Sequence, residues 1–138
     1  MTISGTMYAM DIEPDLVSKV IEQGAVAQLA NIEGITIDFV SDGTGLEDGS
    51  VDYVMLFNIL HAEKPLSVLK EASRILRPNG KLGIIHWNYD STTPRGPPMS
   101  IRPKPEECEE WAEKADFRLI KRCDLKPYHY GLLFARRE

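Results

Sequence analysis

The most constraining feature is a ten-residue run, Val51 to Leu60 (VDYVMLFNIL), that is almost unbroken apolar sequence. It is too short to cross a bilayer and rich in β-favouring side chains. Such a run reads as a strand buried on both faces, the habit of parallel sheets. Lys64-Pro65 follows, with proline suited to a first helical turn. Leu66, Leu69, Ser73 and Leu76 then share one helical face, widened by Val68, Ala72 and Ile75, while Lys70, Glu71, Arg74 and Arg77 fall mostly opposite. Pro78-Asn79-Gly80 supplies a tight turn, and Lys81 to Trp87 is a second strand. Strand, helix, turn and strand make one βαβ unit, whose crossover should be right-handed.

Three blocks in and around this unit carry a resemblance. They are Asp42-Gly43-Thr44, Asp48 to Val54 (DGSVDYV), and Arg74 to Leu82 (RILRPNGKL). In this order and spacing they resemble the middle of a class I S-adenosylmethionine (SAM)-dependent methyltransferase, in the small-molecule branch that includes ubiquinone-biosynthesis enzymes. The similarity extends over roughly residues 7 to 136. It implies a Rossmann-like three-layer α/β sandwich with a reversed final strand, SAM as cofactor and a small-molecule methyl acceptor.

The chain of 138 residues is expected to form one domain, 1–138. Its 43% hydrophobic and 27% charged residues are ordinary for a globular protein. A net charge of −5 argues against nucleic acid or an anionic membrane as partner. No signal peptide and no membrane-length run are evident. Cys108 and Cys123 fit no CxxC or metal spacing. They read as reduced packing residues, which predicts a cytoplasmic protein without a bound metal.

Taken in order, Met7 to Met10 predicts a strand ending at Asp11. Pro14 opens a helix whose buried stripe is Leu16, Val17, Val20 and Ile21, and which Gly24 should weaken or end. Ile35, Ile37 and Phe39 alternate as a second strand, and 41–50 reads as a loop. After the βαβ unit, Pro94, Pro97, Pro98 and Pro103 keep 88–104 irregular, a length typical of a lid or binding loop. Pro105 starts a helix with Cys108, Trp111, Ala112 and Ala115 on one face. Phe117–Cys123 and Tyr128–Arg136 follow as an antiparallel hairpin. The sum is an α/β fold with a mostly parallel sheet and an antiparallel C-terminal edge.

Ligands of open α/β sheets bind beyond the carboxyl ends of the strands. Asp11 ends the first strand, where a carboxylate can accept from a ribose diol; its other reading is an acid in the Asp11-Ile12-Glu13-Pro14 turn. The resemblance implies cofactor contacts at Asp11 and Ile12, at Asp42, Gly43 and Thr44 beside the adenine, and at Asn58 behind the SAM. His61, just past the third strand, has the titration range of a general base, or simply lines a pocket. His86 and Trp87 end the fourth strand and are candidates for acceptor contact or for packing. Arg95 and Arg102, in the proline-rich loop, could clamp a carboxylate or phosphate. Hydrolase signatures such as GxSxG and HExxH do not occur.

One part of the family pattern is missing. A Gly-rich loop normally precedes the ribose acid by about 20 residues, yet before Asp11 there is only Gly5. The chain therefore reads as an N-terminally truncated methyltransferase domain with impaired SAM affinity. Its first strand should pair directly with Val51–Asn58, or another chain should fill the gap. The rival readings are a non-catalytic homo-oligomeric interaction module and, less well matched, a nicotinamide-dependent oxidoreductase.

Overall fold

The computed structural model describes residues 5–137. They divide into two compact units, the boundary falling between Gly45 and Leu46.

The first unit holds β1 (Met7–Asp11), α1 (Pro14–Val26), β2 (Ile32–Thr36) and α2 (Phe39–Asp42). β1 and β2 run parallel, in register from Met7 opposite Ile32 to Asp11 opposite Thr36. Pro14 and Asp15 occupy the first turn of α1, as its composition predicts. Gly24 does not end the helix. A Cβ there would lie 2.8 Å from Ile32 Cδ1, so its bare backbone serves close approach of α1 to β2. Of the expected stripe, Val17 is buried, but Leu16 and Ile21 remain exposed because only two strands lie beneath the helix. Phe39 is not in a strand. The Asp38 carboxylate accepts from the Ser41 N–H at 3.2 Å and starts α2 there.

The second unit holds β3 (Val51–Phe57), α3 (Pro65–Ile75), β4 (Leu76–Trp87), α4 (Pro105–Lys114), β5 (Phe117–Leu125) and β6 (His129–Arg136). Its sheet order is β3–β4–β6–β5, with β3 parallel to β4 and both β6 pairings antiparallel. The α/β class, the βαβ unit and the antiparallel edge are thus as the sequence predicts. The turn at Pro78-Asn79-Gly80 is absorbed into β4, where Asn79 takes φ 63° and the register to β3 shifts between Val51 and Tyr53.

Leu69, Leu76, Leu82, Ile84, Phe117 and Phe134 form the core of this unit and are almost fully buried. Each contributes about 2 kcal/mol of hydrophobic stabilisation. Arg74 locks the blocks flanking β3. It donates to Glu71, to Asp48 at 2.6 Å and to the Leu46 carbonyl at 2.7 Å. The opposite sheet face is less covered, and Tyr53, Met55 and Phe57 stay exposed on β3. Tyr53 lies over Gly83, where a Cβ would collide with its hydroxyl oxygen.

Of the two outcomes expected for the first strand, direct pairing of β1 with β3 is not found among the described residues. β1 pairs with β2 and β3 pairs with β4 in two separate sheets. Parallel pairing needs a crossover of a dozen or more residues, usually a helix. α1 supplies one between β1 and β2, and α3 one between β3 and β4. Among the described residues, no helix is long and apolar enough to cross a membrane.

Candidate functional site

In the first unit, the two acids singled out from the sequence follow the carboxyl ends of adjacent parallel strands. Asp11 closes β1 opposite Thr36, and its own carbonyl accepts from the Ile37 N–H at 2.9 Å. Its Oδ1 accepts from the Glu13 N–H at 3.0 Å, which fixes the turn into α1, and Ile12 is exposed in that turn. Asp42 ends α2 shortly after β2, exposed, with its N–H on the Asp38 carbonyl. Gly43 caps α2 at φ 70°, a left-handed conformation that suits glycine, and Thr44 follows half-buried.

In the second unit, Asn58 sits immediately past β3 at φ 58°. Its N–H donates to the Ile85 carbonyl at 2.7 Å, so the strand register holds it in the left-handed region. Its side-chain Oδ1 is buried and has no hydrogen-bond partner. A left-handed backbone, which asparagine tolerates, thus coincides with a buried acceptor that has no partner among the described residues.

Beyond Asn58, a cavity of about 700 Å³ opens beside the proline-rich loop and α4. Leu60, His61, Tyr89, Ile101, Lys104 and Trp111 are among its walls. Lys104 Nζ lies 4.8 Å from the centre of the Tyr89 ring. The Lys104 N–H donates to the Glu107 carboxylate at 3.0 Å and so fixes the start of α4. His61 Nδ1 is 3.2 Å from His86 Nε2, and the two rings meet edge-on with centroids 5.3 Å apart. Burial holds His61 below its ordinary pKa. His86, fully buried, is pushed down to about 4, first by burial and then by His61. Both imidazoles are therefore neutral near pH 7.

The other predicted residues lie in the same unit. Trp87 packs against His129, with ring centroids 4.3 Å apart. Arg95 is exposed in the loop, where its carbonyl accepts from the Thr93 hydroxyl. Arg102 is buried, and its guanidinium donates to the carbonyls of Pro97, Asn88 and Asp90 and to the Thr93 hydroxyl at 2.7–3.0 Å. It ties together the loop that the prolines leave irregular. Tyr89, Lys104 and Trp111 were not expected as pocket residues. The length of the loop was the one sequence signal for Tyr89 and Lys104; Trp111 lies outside it, in α4. Among the described residues, no group of three or more His, Cys, Asp or Glu converges as a metal site.

Comparison with known proteins places this geometry in a family. Over 49 residues, or 36% of its length, the chain is 43% identical to an uncharacterised methyltransferase-like protein of Schizosaccharomyces pombe, covering 19% of that protein. The chain thus spans about a fifth of this relative. Among solved structures, it matches a SAM-dependent methyltransferase from Aquifex aeolicus with TM-score 0.82 and 25% identity, covering 95% of this chain and 69% of that one. It also matches a putative type 11 methyltransferase from Sulfolobus solfataricus with TM-score 0.76 and 29% identity, covering 96% and 72%. The family model described as a methyltransferase domain matches residues 2–84, more than half of the chain. The chain belongs to the methyltransferase domain family.

Proposed function

We propose that this chain is a SAM-dependent methyltransferase acting on a small-molecule acceptor in the cytoplasm, within the ubiquinone-biosynthesis-like branch that the Arg74–Leu82 block resembles. The observation that carries the reading is Asn58, whose unpartnered Oδ1 and left-handed backbone stand at the carboxyl end of a parallel strand. An acceptor atom of this kind fits the ammonium or amine donors of the cofactor. Asp11 and Ile12, with Asp42, Gly43 and Thr44, are the proposed contacts to ribose and adenine; both acids follow carboxyl ends of neighbouring strands. SAM supplies an electrophilic methyl group, and the electron pair of the broken carbon–sulfur bond stays on sulfur.

The residues of the second unit supply positioning and proton handling. The cavity bounded by Leu60, Tyr89, Ile101 and Trp111 is the proposed seat of the acceptor's apolar body. His61 is the proposed base. His86 and Trp87 support the cavity from the end of β4, and Arg102 holds its loop wall in place while Arg95 stays available to an anionic group. Isothermal titration with S-adenosylhomocysteine tests the proposal: a saturable heat supports it, and silence at high micromolar ligand overturns it.

A second reading has its own support. The outer edge of β3 has no strand partner among the described residues, and Tyr53, Met55 and Phe57 are exposed beside it. Self-association through this incomplete sheet would cover both. Light scattering that gives a monomer mass would remove this alternative.

A further inference from the structure

We infer that the acceptor carries an anionic oxygen group, such as a carboxylate, and that Lys104 is the residue that selects it. This rests on the methyl-transfer reading and narrows its substrate to an amphipathic anion. Lys104 stands at the start of α4 on the wall of the cavity, its Nζ 4.8 Å from the centre of the Tyr89 ring. A ring face answers an ammonium charge only in part and leaves N–H donors for a ligand. The ion-paired lysines among the described residues are Lys114 and Lys126, so Lys104 has no carboxylate of its own.

A second positive charge belongs to the same wall. Arg102 lines the cavity and is only 7% exposed. Its guanidinium donates to three carbonyls and a hydroxyl, all of them neutral. Asp90 offers it a carbonyl, while the Asp90 carboxylate accepts from the Thr92 N–H at 2.9 Å and the Thr92 hydroxyl at 2.7 Å. The hydrogen bonds of Arg102 are met, yet the arginines in ion pairs among the described residues are Arg74, Arg77, Arg122 and Arg137. Buried charges are normally paired, because burial strips their hydration. The field of this one is also screened less than that of an exposed group.

Two acids line the cavity as well, Glu63 and Glu107. The Glu107 carboxylate accepts from the Lys104 N–H at 3.0 Å and so serves the start of the helix. Glu63 is exposed, where water and salt screen it. The four charges balance in number. The least screened of them is nevertheless the buried guanidinium, and the one with donors to spare is the lysine. An incoming oxyanion complements both. A ligand ammonium would instead meet Lys104 on the Tyr89 face that could have held it. Leu60, Ile101 and Trp111 leave room beside Lys104 for a hydrocarbon body.

The test uses the full chain and two probes of one shape, cinnamate and its neutral counterpart cinnamamide, with binding read by isothermal titration at low ionic strength. Cinnamate should bind about tenfold more tightly than cinnamamide. Added salt should erode that difference. Lys104 is exposed and caps α4 through its backbone, so its side chain can be exchanged without loss of the fold. Lys104→Met should bring the two affinities together, and Lys104→Arg should keep them apart. Equal binding of the probes by the parent chain overturns the inference, as does a preference for cinnamate that survives in Lys104→Met. Failure of both probes to bind at millimolar concentration overturns it too. S-adenosylhomocysteine titration on the same sample is a separate arm: silence there removes the methyl-transfer reading, whereas a missing anion preference removes only the role of Lys104.

Discussion

The Tyr130 hydroxyl donates to the Pro103 carbonyl across 2.9 Å, which fastens β6 to the end of the proline-rich loop inside the protein. Burial raises the pKa of this phenol and pushes the neighbouring Cys108 thiol up to about 11, so both keep their protons and can donate. Tyr130→Phe should leave a buried carbonyl and a thiol without their partner. The expected loss is about 2 kcal/mol in urea-induced unfolding, with an unchanged m-value.

Stability should depend on pH through His86. The folded pKa is about 4 against 6.5 for the free side chain, so the unfolded chain binds the proton more readily. Stability is then full above pH 6.5, declines as the pH falls from there towards about 4, and flattens below that. The decline attributable to this group is on the order of 3 kcal/mol. Unfolding midpoints measured across this window should show it, and His86→Gln should remove most of the slope.

Arg102 is the second polar anchor of the loop. Arg102→Met would keep the aliphatic stem but strip donors from the carbonyls of Pro97, Asn88 and Asp90. A stability loss of about 3 kcal/mol is expected. Amide hydrogen exchange should rise through residues 88–104 while β3 and β4 stay protected. Uniform exchange across the chain would show that the arginine does not act through the loop.

Asn58 separates stability from binding. Asn58→Gly removes the left-handed penalty at φ 58° together with the orphaned Oδ1. Thermal unfolding should be unchanged or raised by less than about 1 kcal/mol. Any heat of S-adenosylhomocysteine binding should fall at the same time. A variant that binds as well as the parent would take Asn58 out of the cofactor site.

The sequence showed those features that repeat within a few residues. The apolar run at Val51, the Pro65 helix and the Cys108–Ala112–Ala115 face all carry their period locally, and each element forms close to its expected limits, β3 ending at Phe57 rather than Leu60. What escaped depends on packing between distant segments. Gly24 read as weakening or ending the helix because its contact with Ile32 is set by the β1–β2 pairing. Phe39 read as a strand residue because alternation alone does not register the Asp38 cap.

The site followed the same rule. Asp11 and Asn58 fall at strand ends as expected, because β1 and β3 carry their pattern locally, whereas Asp42 ends α2 rather than a strand. The His61–His86 contact joins residues 25 apart, and it exists only because β3 and β4 pair in one register. Arg102 looked free to meet a substrate because nothing in its neighbours reveals that the loop folds its carbonyls back onto the guanidinium. Trp111 shared a helical face with buried residues, yet it stands at the end of that face that opens on the cavity.

That position of Trp111 gives the chain an optical reporter of its own. Of its two tryptophans, Trp111 borders the cavity, whereas Trp87 rests against His129. Entry of an acceptor would alter the polarity around one indole and leave the other as an internal standard. Ultraviolet emission could thus follow ligand occupancy without a dye, a tag or any knowledge of the reaction.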